Sequence, residues 1–81
     1  MQVTVYSTTQ CGICHILMDW LDQEGVSHTK AVIDTDHQAM AEFMSVNDGM
    51  IGTPLTVINS RGTLTKISGF DKKQLKVALN L

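Results

Sequence analysis

Val3-Thr4-Val5-Tyr6-Ser7-Thr8-Thr9-Gln10-Cys11-Gly12-Ile13-Cys14-His15-Ile16-Leu17-Met18-Asp19-Trp20-Leu21 is the stretch whose reading decides the fold. Its hydrophobic period changes in the middle. From Gln2 to Ser7 the residues alternate, with Val3 and Val5 on one face and Thr4 and Tyr6 on the other. That is the two-residue repeat of a strand. Thr8 to Gly12 is a polar loop. From Ile13 the apolar residues recur three and four apart, which predicts a helix with Ile13, Ile16, Leu17, Trp20 and Leu21 on its buried side. His15, Asp19 and Asp22 fall opposite, and Gly25 stands where a helix C-terminal glycine is expected.

Downstream, Val26 to Ile33 reads as a second strand. Asp34, Thr35 and Asp36 offer N-caps for a second helix, with Ala39, Met40, Phe43 and Met44 on its apolar side and Asn47-Asp48-Gly49 at its end. Pro54 to Ile58 reads as a third strand, Asn59-Ser60-Arg61-Gly62 as a turn, and Thr63 to Ile67 as a fourth strand that closes a hairpin. Asp71 caps a third helix, with Gln74 placed for a capping box. Leu75, Ala78 and Leu79 form its buried side, and Lys72, Lys73 and Lys76 its solvated side. The order is β-α-β-α-β-β-α. Its first half suits a parallel βαβ unit with a right-handed crossover, and the hairpin adds antiparallel strands. An α/β domain with a four-stranded mixed sheet and three helices is expected.

The 81 residues suit one domain, residues 1–81, with no internal linker or repeat. Hydrophobic residues make up 43%, enough for a small core. A net charge of −2 gives no electrostatic reason to expect a nucleic-acid partner. No apolar run is long enough to span a membrane, and the N-terminus has no basic stretch followed by an apolar region. A cytoplasmic location and a monomeric state are expected. Trp20, Phe43 and the five Met residues read as core filling.

Cys11-Gly12-Ile13-Cys14 carries the chemistry. It lies where the first strand hands over to the first helix, and both cysteines of the chain are in it. The first N–H groups of a helix have no partner inside it, and the helix dipole is positive there. Both effects favour a thiolate. The two-residue spacer lets Cys14 reach Cys11 and close a disulfide, and Gly12 leaves the approach to Cys11 open. Cys11 is expected to be the nucleophile and Cys14 the resolving thiol. His15, His28 and His37 fall on three different predicted elements, so no metal site is expected. Cys11 to His15 also matches the C-x-x-C-H of c-type haem attachment, an alternative opposed by the βαβ setting and by the lack of an export signal.

The chain resembles the glutaredoxin-like redoxins, and within them the NrdH-redoxin group. The resemblance covers nearly the whole sequence. It rests on Val3-Thr4-Val5-Tyr6, on Cys11 to Cys14, on Thr53-Pro54, and on Ser68-Gly69-Phe70. NrdH redoxins carry Trp-Ser-Gly-Phe at the last place, where glutaredoxins carry a Gly-Gly pair. Here Ile67 stands in the Trp position, and Asp71 follows the Phe in place of a basic residue. Thr8 and Thr9 replace the usual Lys and Pro of the loop, and Gly12-Ile13 replaces the aromatic-containing pair of glutaredoxins.

The resemblance implies a thioredoxin (glutaredoxin-like) fold. It implies catalytic Cys11 and Cys14, with Gly12, Ile13, Thr53, Pro54, Ser68, Gly69 and Phe70 binding substrate. It implies a cis Pro54 against the disulfide, leaving the Thr53 backbone free to pair with an extended substrate. No bound cofactor is expected beyond the redox-active Cys11–Cys14 disulfide. The protein would be a dithiol electron donor for protein disulfides, ribonucleotide reductase first among them. It would be recharged by NADPH through thioredoxin reductase, the alternative being a glutathione-dependent glutaredoxin.

Overall fold

The computed structural model describes residues 1–50 and 52–81. The chain runs β1 (Gln2–Ser7), α1 (Gly12–Gln23), β2 (Thr29–Val32), α2 (His37–Val46), β3 (Leu55–Ser60), β4 (Thr63–Ser68) and α3 (Lys72–Leu79). The sheet order is β2-β1-β3-β4. β1 pairs parallel with β2 and antiparallel with β3, and β3 pairs antiparallel with β4. This is the mixed four-stranded α/β architecture that the sequence predicts.

The alternation in β1 sorts two cores onto the two faces of the sheet. Val3 and Val5 join Ile58 and Ile67 under α1 and α3, with Cys14, Leu17, Leu21, Leu75 and Leu79. Tyr6 joins Leu55, Val57 and Ala31 under α2, with Ala39 and Phe43. Each face therefore buries the apolar stripe of at least one helix, which is where most helix stability comes from. Tyr6 and Phe43 meet at 5.7 Å between ring centroids.

Several local expectations need correction. The buried stripe of α1 is Cys14, Leu17, Met18, Trp20 and Leu21, while Ile13 and Ile16 are more than half exposed. Burial of Cys14 sets this phase, because it rotates the first turn so that Cys14, not Ile13, faces the sheet. Met40 and Met44 of α2 are likewise exposed. Among the methionines, Met18 fills the core whereas Met1, Met40 and Met44 do not.

The second strand is shorter than Val26 to Ile33. Val26 N–H is committed to Leu21 C=O (2.9 Å) and Gly25 N–H to Asp22 C=O (3.1 Å), with Gly25 at φ +72°. These bonds form a glycine-terminated helix end that consumes the residues leading into the strand. β3 runs two residues past its expected end, leaving only Arg61 and Gly62 in the turn, and β4 ends one residue later than expected, at Ser68. Both turn residues have positive φ, 54° and 84°, as a two-residue hairpin turn requires. Pro54 lies just outside β3. At α3, Asp71 accepts Gln74 N–H (3.1 Å), but the Gln74 amide returns to the Asp71 carboxylate (2.7 Å). The capping box is therefore made at one end only.

Candidate active site

α1 runs back antiparallel to β1, so its first turn lies over the C-terminal end of that strand. β3 starts at the same end, and β4 finishes there. Three stretches far apart in sequence thus converge: residues 8–14, Thr53-Pro54, and Ser68-Gly69-Phe70.

Cys11 is the N-cap of α1, in extended conformation (φ −91°, ψ 98°). Its Sγ accepts the Cys14 backbone N–H at 3.1 Å, and its C=O accepts His15 N–H at 3.4 Å. The sulfur thus occupies the place a Ser or Asp oxygen takes at an ordinary helix start. Cys11 and Cys14 are joined as a disulfide, with Cα atoms 5.3 Å apart. The two cysteines differ in environment: Cys11 is partly buried, whereas Cys14 is fully enclosed. A Cβ added at Gly12 would meet nothing within 4 Å, so the approach to Cys11 is open irrespective of the glycine.

The loop ahead of Cys11 is held from the other end of the βαβ unit. Thr9 N–H reaches both carboxylate oxygens of Asp34 (3.2 and 3.1 Å), and the Thr9 hydroxyl donates to Oδ2 at 2.6 Å. The Thr9 hydroxyl, then its N–H, holds the Asp34 carboxyl below its ordinary range. Cys11 N–H closes the turn onto Thr8 C=O (3.3 Å). Asp34 read in sequence only as a cap candidate; the cap is Asp36, which accepts from Gln38 and Ala39 N–H.

The Thr53-Pro54 bond is cis, and Pro54 is buried. Pro54 C=O accepts Gly69 N–H at 2.9 Å, with Gly69 at φ +76°. That bond fixes Ser68-Gly69-Phe70 beside Thr53-Pro54. Phe70 then packs on Trp20 of α1, with ring centroids 5.8 Å apart and planes tilted by 58°. Lys72 Nζ sits 5.6 Å from the Phe70 ring centre. Ile16, Asp19, Trp20, Gln23, Phe70 and Lys72 line a shallow cleft of about 270 Å³ that runs along α1 toward its C-terminal end. A larger groove of about 410 Å³ lies between β4 and α3 and is lined by none of the residues named for the site.

Of the residues expected at the site, Gly12 and Ile13 are exposed, Thr53, Gly69 and Phe70 are half-buried, and Ser68 is exposed. Sequence reading placed Ile16 and Trp20 in the core and Lys72 on a solvated face. The cleft they form with Phe70 requires the third dimension, because its walls lie on α1 and at the start of α3. No group of three or more His, Cys, Asp or Glu side chains is arranged to hold a metal among the described residues. No helix there is long and apolar enough to cross a membrane.

The glutaredoxin family model matches residues 3–62. The chain belongs to the glutaredoxin family. Its fold is shared by NrdH-redoxin from Escherichia coli, at 19% identity over 95% of this chain and 93% of the other, with a TM-score of 0.75. The glutaredoxin from Methanosarcina mazei Go1 superposes with a TM-score of 0.83 at 21% identity, covering 99% of this chain and 79% of the other. The thioredoxin-like protein BC3987 gives 0.78 at 22% identity, over 95% and 99% of the two chains. No curated protein sequence matches. The chain is thus a glutaredoxin-like redoxin of thioredoxin fold, with its cysteine pair at the start of α1.

Proposed function

We propose that Cys11 and Cys14 form a dithiol–disulfide pair that reduces disulfides in protein substrates. The observation that carries this is the asymmetry of the pair: a partly buried cysteine at a helix N-cap, its sulfur accepting a backbone N–H, beside a fully buried one. The Cys11 thiolate attacks one sulfur of the substrate disulfide. That S–S bond breaks, a Cys11–substrate disulfide forms, and the first substrate thiolate leaves and takes a proton. Cys14 gives up its proton and attacks Cys11 Sγ, expelling the second substrate thiolate. Two electrons and two protons pass to the substrate, and Cys11–Cys14 is left oxidised. Gly12, Ile13, Thr53, Pro54, Ser68, Gly69 and Phe70 form the substrate-facing rim, with Thr53 offering backbone rather than side chain.

We further infer that electrons come from NADPH through thioredoxin reductase, and that ribonucleotide reductase is the first protein substrate to test. NrdH-redoxin from Escherichia coli is described as glutaredoxin-like with a thioredoxin-like activity profile, and this reading follows it. Thr8, Ile13 and Phe70 stand where a glutathione site would want a cation, an aromatic and polar groups. Glutathione carboxylates would therefore lack the charge-assisted bonds such a site most needs.

Two measurements test the proposal. Cys11→Ser should abolish turnover, and Cys14→Ser should trap mixed disulfides; preferential alkylation of Cys14 in the reduced protein would reverse the roles. Insulin or ribonucleotide-reductase disulfide turnover is then run with each electron source in parallel. Fast turnover with glutathione and glutathione reductase, and none with thioredoxin reductase, would make the chain a glutathione-dependent glutaredoxin.

A further inference from the structure

The charges of the chain are segregated. Of its eight Asp and Glu, only Asp71 falls after residue 50; of its six Lys and Arg, only Lys30 falls before it. The hairpin turn, β4 and α3 therefore form a cationic flank. Its one acid is already engaged, because Gln74 N–H and the Gln74 amide both bond the Asp71 carboxylate. Lys66 is held by Asp48 at 2.7 Å. Arg61, Lys73 and Lys76 are exposed and, among the described residues, have no carboxylate in ion-pair contact. The same flank is where the sheet ends. β4 is the outermost strand, and its unbroken pairing with β3 from Thr63 to Ser68 leaves no bulge or proline to blunt its free edge. Ser60 and Thr63 flank the two-residue turn and form a hydrogen-bonded pair, so Thr65 and Ile67 also bond inward. Gly69 N–H, bonded to Pro54 C=O at 2.9 Å, continues that inward set. The backbone N–H and C=O groups of Leu64, Lys66 and Ser68 therefore point outward. Beside this edge lies the groove of about 410 Å³, where Thr65 and Ile67 face Lys73, Val77 and Ala78 of α3. Val77 is 75% exposed.

We propose that β4 and the groove beside it are a docking surface for an extended, acidic segment of a partner protein, which joins the sheet as a further strand. Three features set the chemistry of that occupant. The outward N–H and C=O groups call for an extended backbone. The groove calls for small apolar side chains at alternate positions, which share one face of a strand. The unpaired cations call for carboxylates on either side of them: α3 returns along β4, so Lys73 stands by the close of the strand, and Arg61 stands by its start. A second copy of the chain does not offer such a segment, because its acids lie on or beside α1 and α2. None of the residues named for the disulfide site lines the groove. The segment therefore tethers a partner without touching sulfur, and raises the local concentration of whatever disulfide that partner carries.

The test uses the full chain in its disulfide form and a blocked peptide, Asp-Glu-Val-Thr-Val-Thr-Val-Glu-Asp, followed by amide NMR. The amides of Leu64, Lys66 and Ser68 should shift on titration and exchange more slowly with solvent, while those of Cys11 to Cys14 stay in place. Lys73→Glu and Val77→Asp, both at exposed positions, should each weaken binding about tenfold, as loss of a contact residue does. Turnover of a small-molecule disulfide should be the same in the parent and both variants. A peptide with Lys in place of its acids, or one N-methylated at the amides that face β4, should not bind. Equal binding of either control would overturn the inference, as would shifts confined to the disulfide end, or no saturable shift at about 1 mM peptide. Equal competition by a single-stranded oligonucleotide would overturn it by making the flank a general anion surface. Amide shifts along β4 that track protein concentration without peptide would overturn it by giving the edge to a second copy. Docking does not require the cysteines to cycle. A protein that docks the peptide yet reduces no disulfide would therefore support this inference and overturn the function proposed above.

Discussion

Phe70 is the residue at which fold and site can be tested together. It is half-buried, leans on Trp20 at 5.8 Å and carries Lys72 Nζ 5.6 Å above its ring. Truncating a fully buried Phe to Ala costs about 3–5 kcal/mol. Phe70 keeps one side in solvent, so about half of that applies, and Phe70→Ala should destabilise the oxidised protein by about 2 kcal/mol. For a domain of this size each kcal/mol moves Tm by roughly 4–8 °C, which predicts a fall of roughly 8–16 °C. Phe70→Leu keeps the apolar cover and loses the ring pair and the cation over it, a loss of about 1 kcal/mol.

Urea unfolding followed by the emission of Trp20, the sole tryptophan, reads both the stability and the packing. Phe70→Ala should shift the native emission, because one wall around the indole is gone. The functional arm compares a protein disulfide with a small-molecule disulfide. If Phe70 serves as docking surface, kcat/KM on the protein should fall on the order of tenfold, as for an aromatic anchor, with the small disulfide little changed. A variant as stable as the parent to within about 0.5 kcal/mol, with unchanged Trp20 emission, would refute the packing. Equal losses on both substrates would refute the docking role.

Thr9→Val and Asp34→Asn should each loosen the loop ahead of Cys11, lowering turnover without melting the core; equal activity of both variants and parent would show the clamp to be idle. Because the Thr9 bonds hold the Asp34 carboxyl below its ordinary range, the clamp contributes stability that is complete above the unfolded-state value of about 3.9 and is lost as pH falls through the lowered one. An acid titration of the Thr9 amide resonance should report it there. Leu75→Ala, at a fully buried position against the α1 side of the sheet, should cost about 3 kcal/mol by cavity formation, measured by urea unfolding; a loss under about 1 kcal/mol would place α3 outside the core.

The order of elements was legible because each is announced locally. β1 alternates, Gly25 ends α1, Asp36 and Asp71 cap the next two helices, and Arg61-Gly62 can adopt the positive φ a hairpin needs. Phase was less legible. Ile13 and Ile16 fit the apolar spacing of α1 as well as Cys14 and Met18 do, and only the need to enclose Cys14 decides between the two stripes. Strand limits failed where a neighbour settles them. Val26 belongs to a helix end, and Ser60 belongs to a strand because Thr63 pairs with it. At the site, the cysteines could be named from spacing alone. The clamp between Thr9 and Asp34 spans 25 residues, and no local pattern marks it.

The site is assembled from caps, turns and strand ends, while the tight apolar packing lies behind it, and this division follows from what disulfide exchange demands. Cys14 must be held by a rigid platform, which Val5, Ile67 and Leu17 supply in the same core. Cys11 must remain reachable by a second sulfur, so it cannot share that burial. A helix N-cap reconciles the two demands: residue 11 sits outside the helix, residue 14 sits inside its first turn, and one backbone N–H from Cys14 reaches back to the outer sulfur. Residues 7–14 hold no lysine or arginine, and the N–H and the helix end itself favour negative charge on Cys11. Such support is built into the backbone. Substitution of exposed rim residues such as Ile13 or Ile16 should therefore alter which partners dock while leaving the character of the thiolate in place.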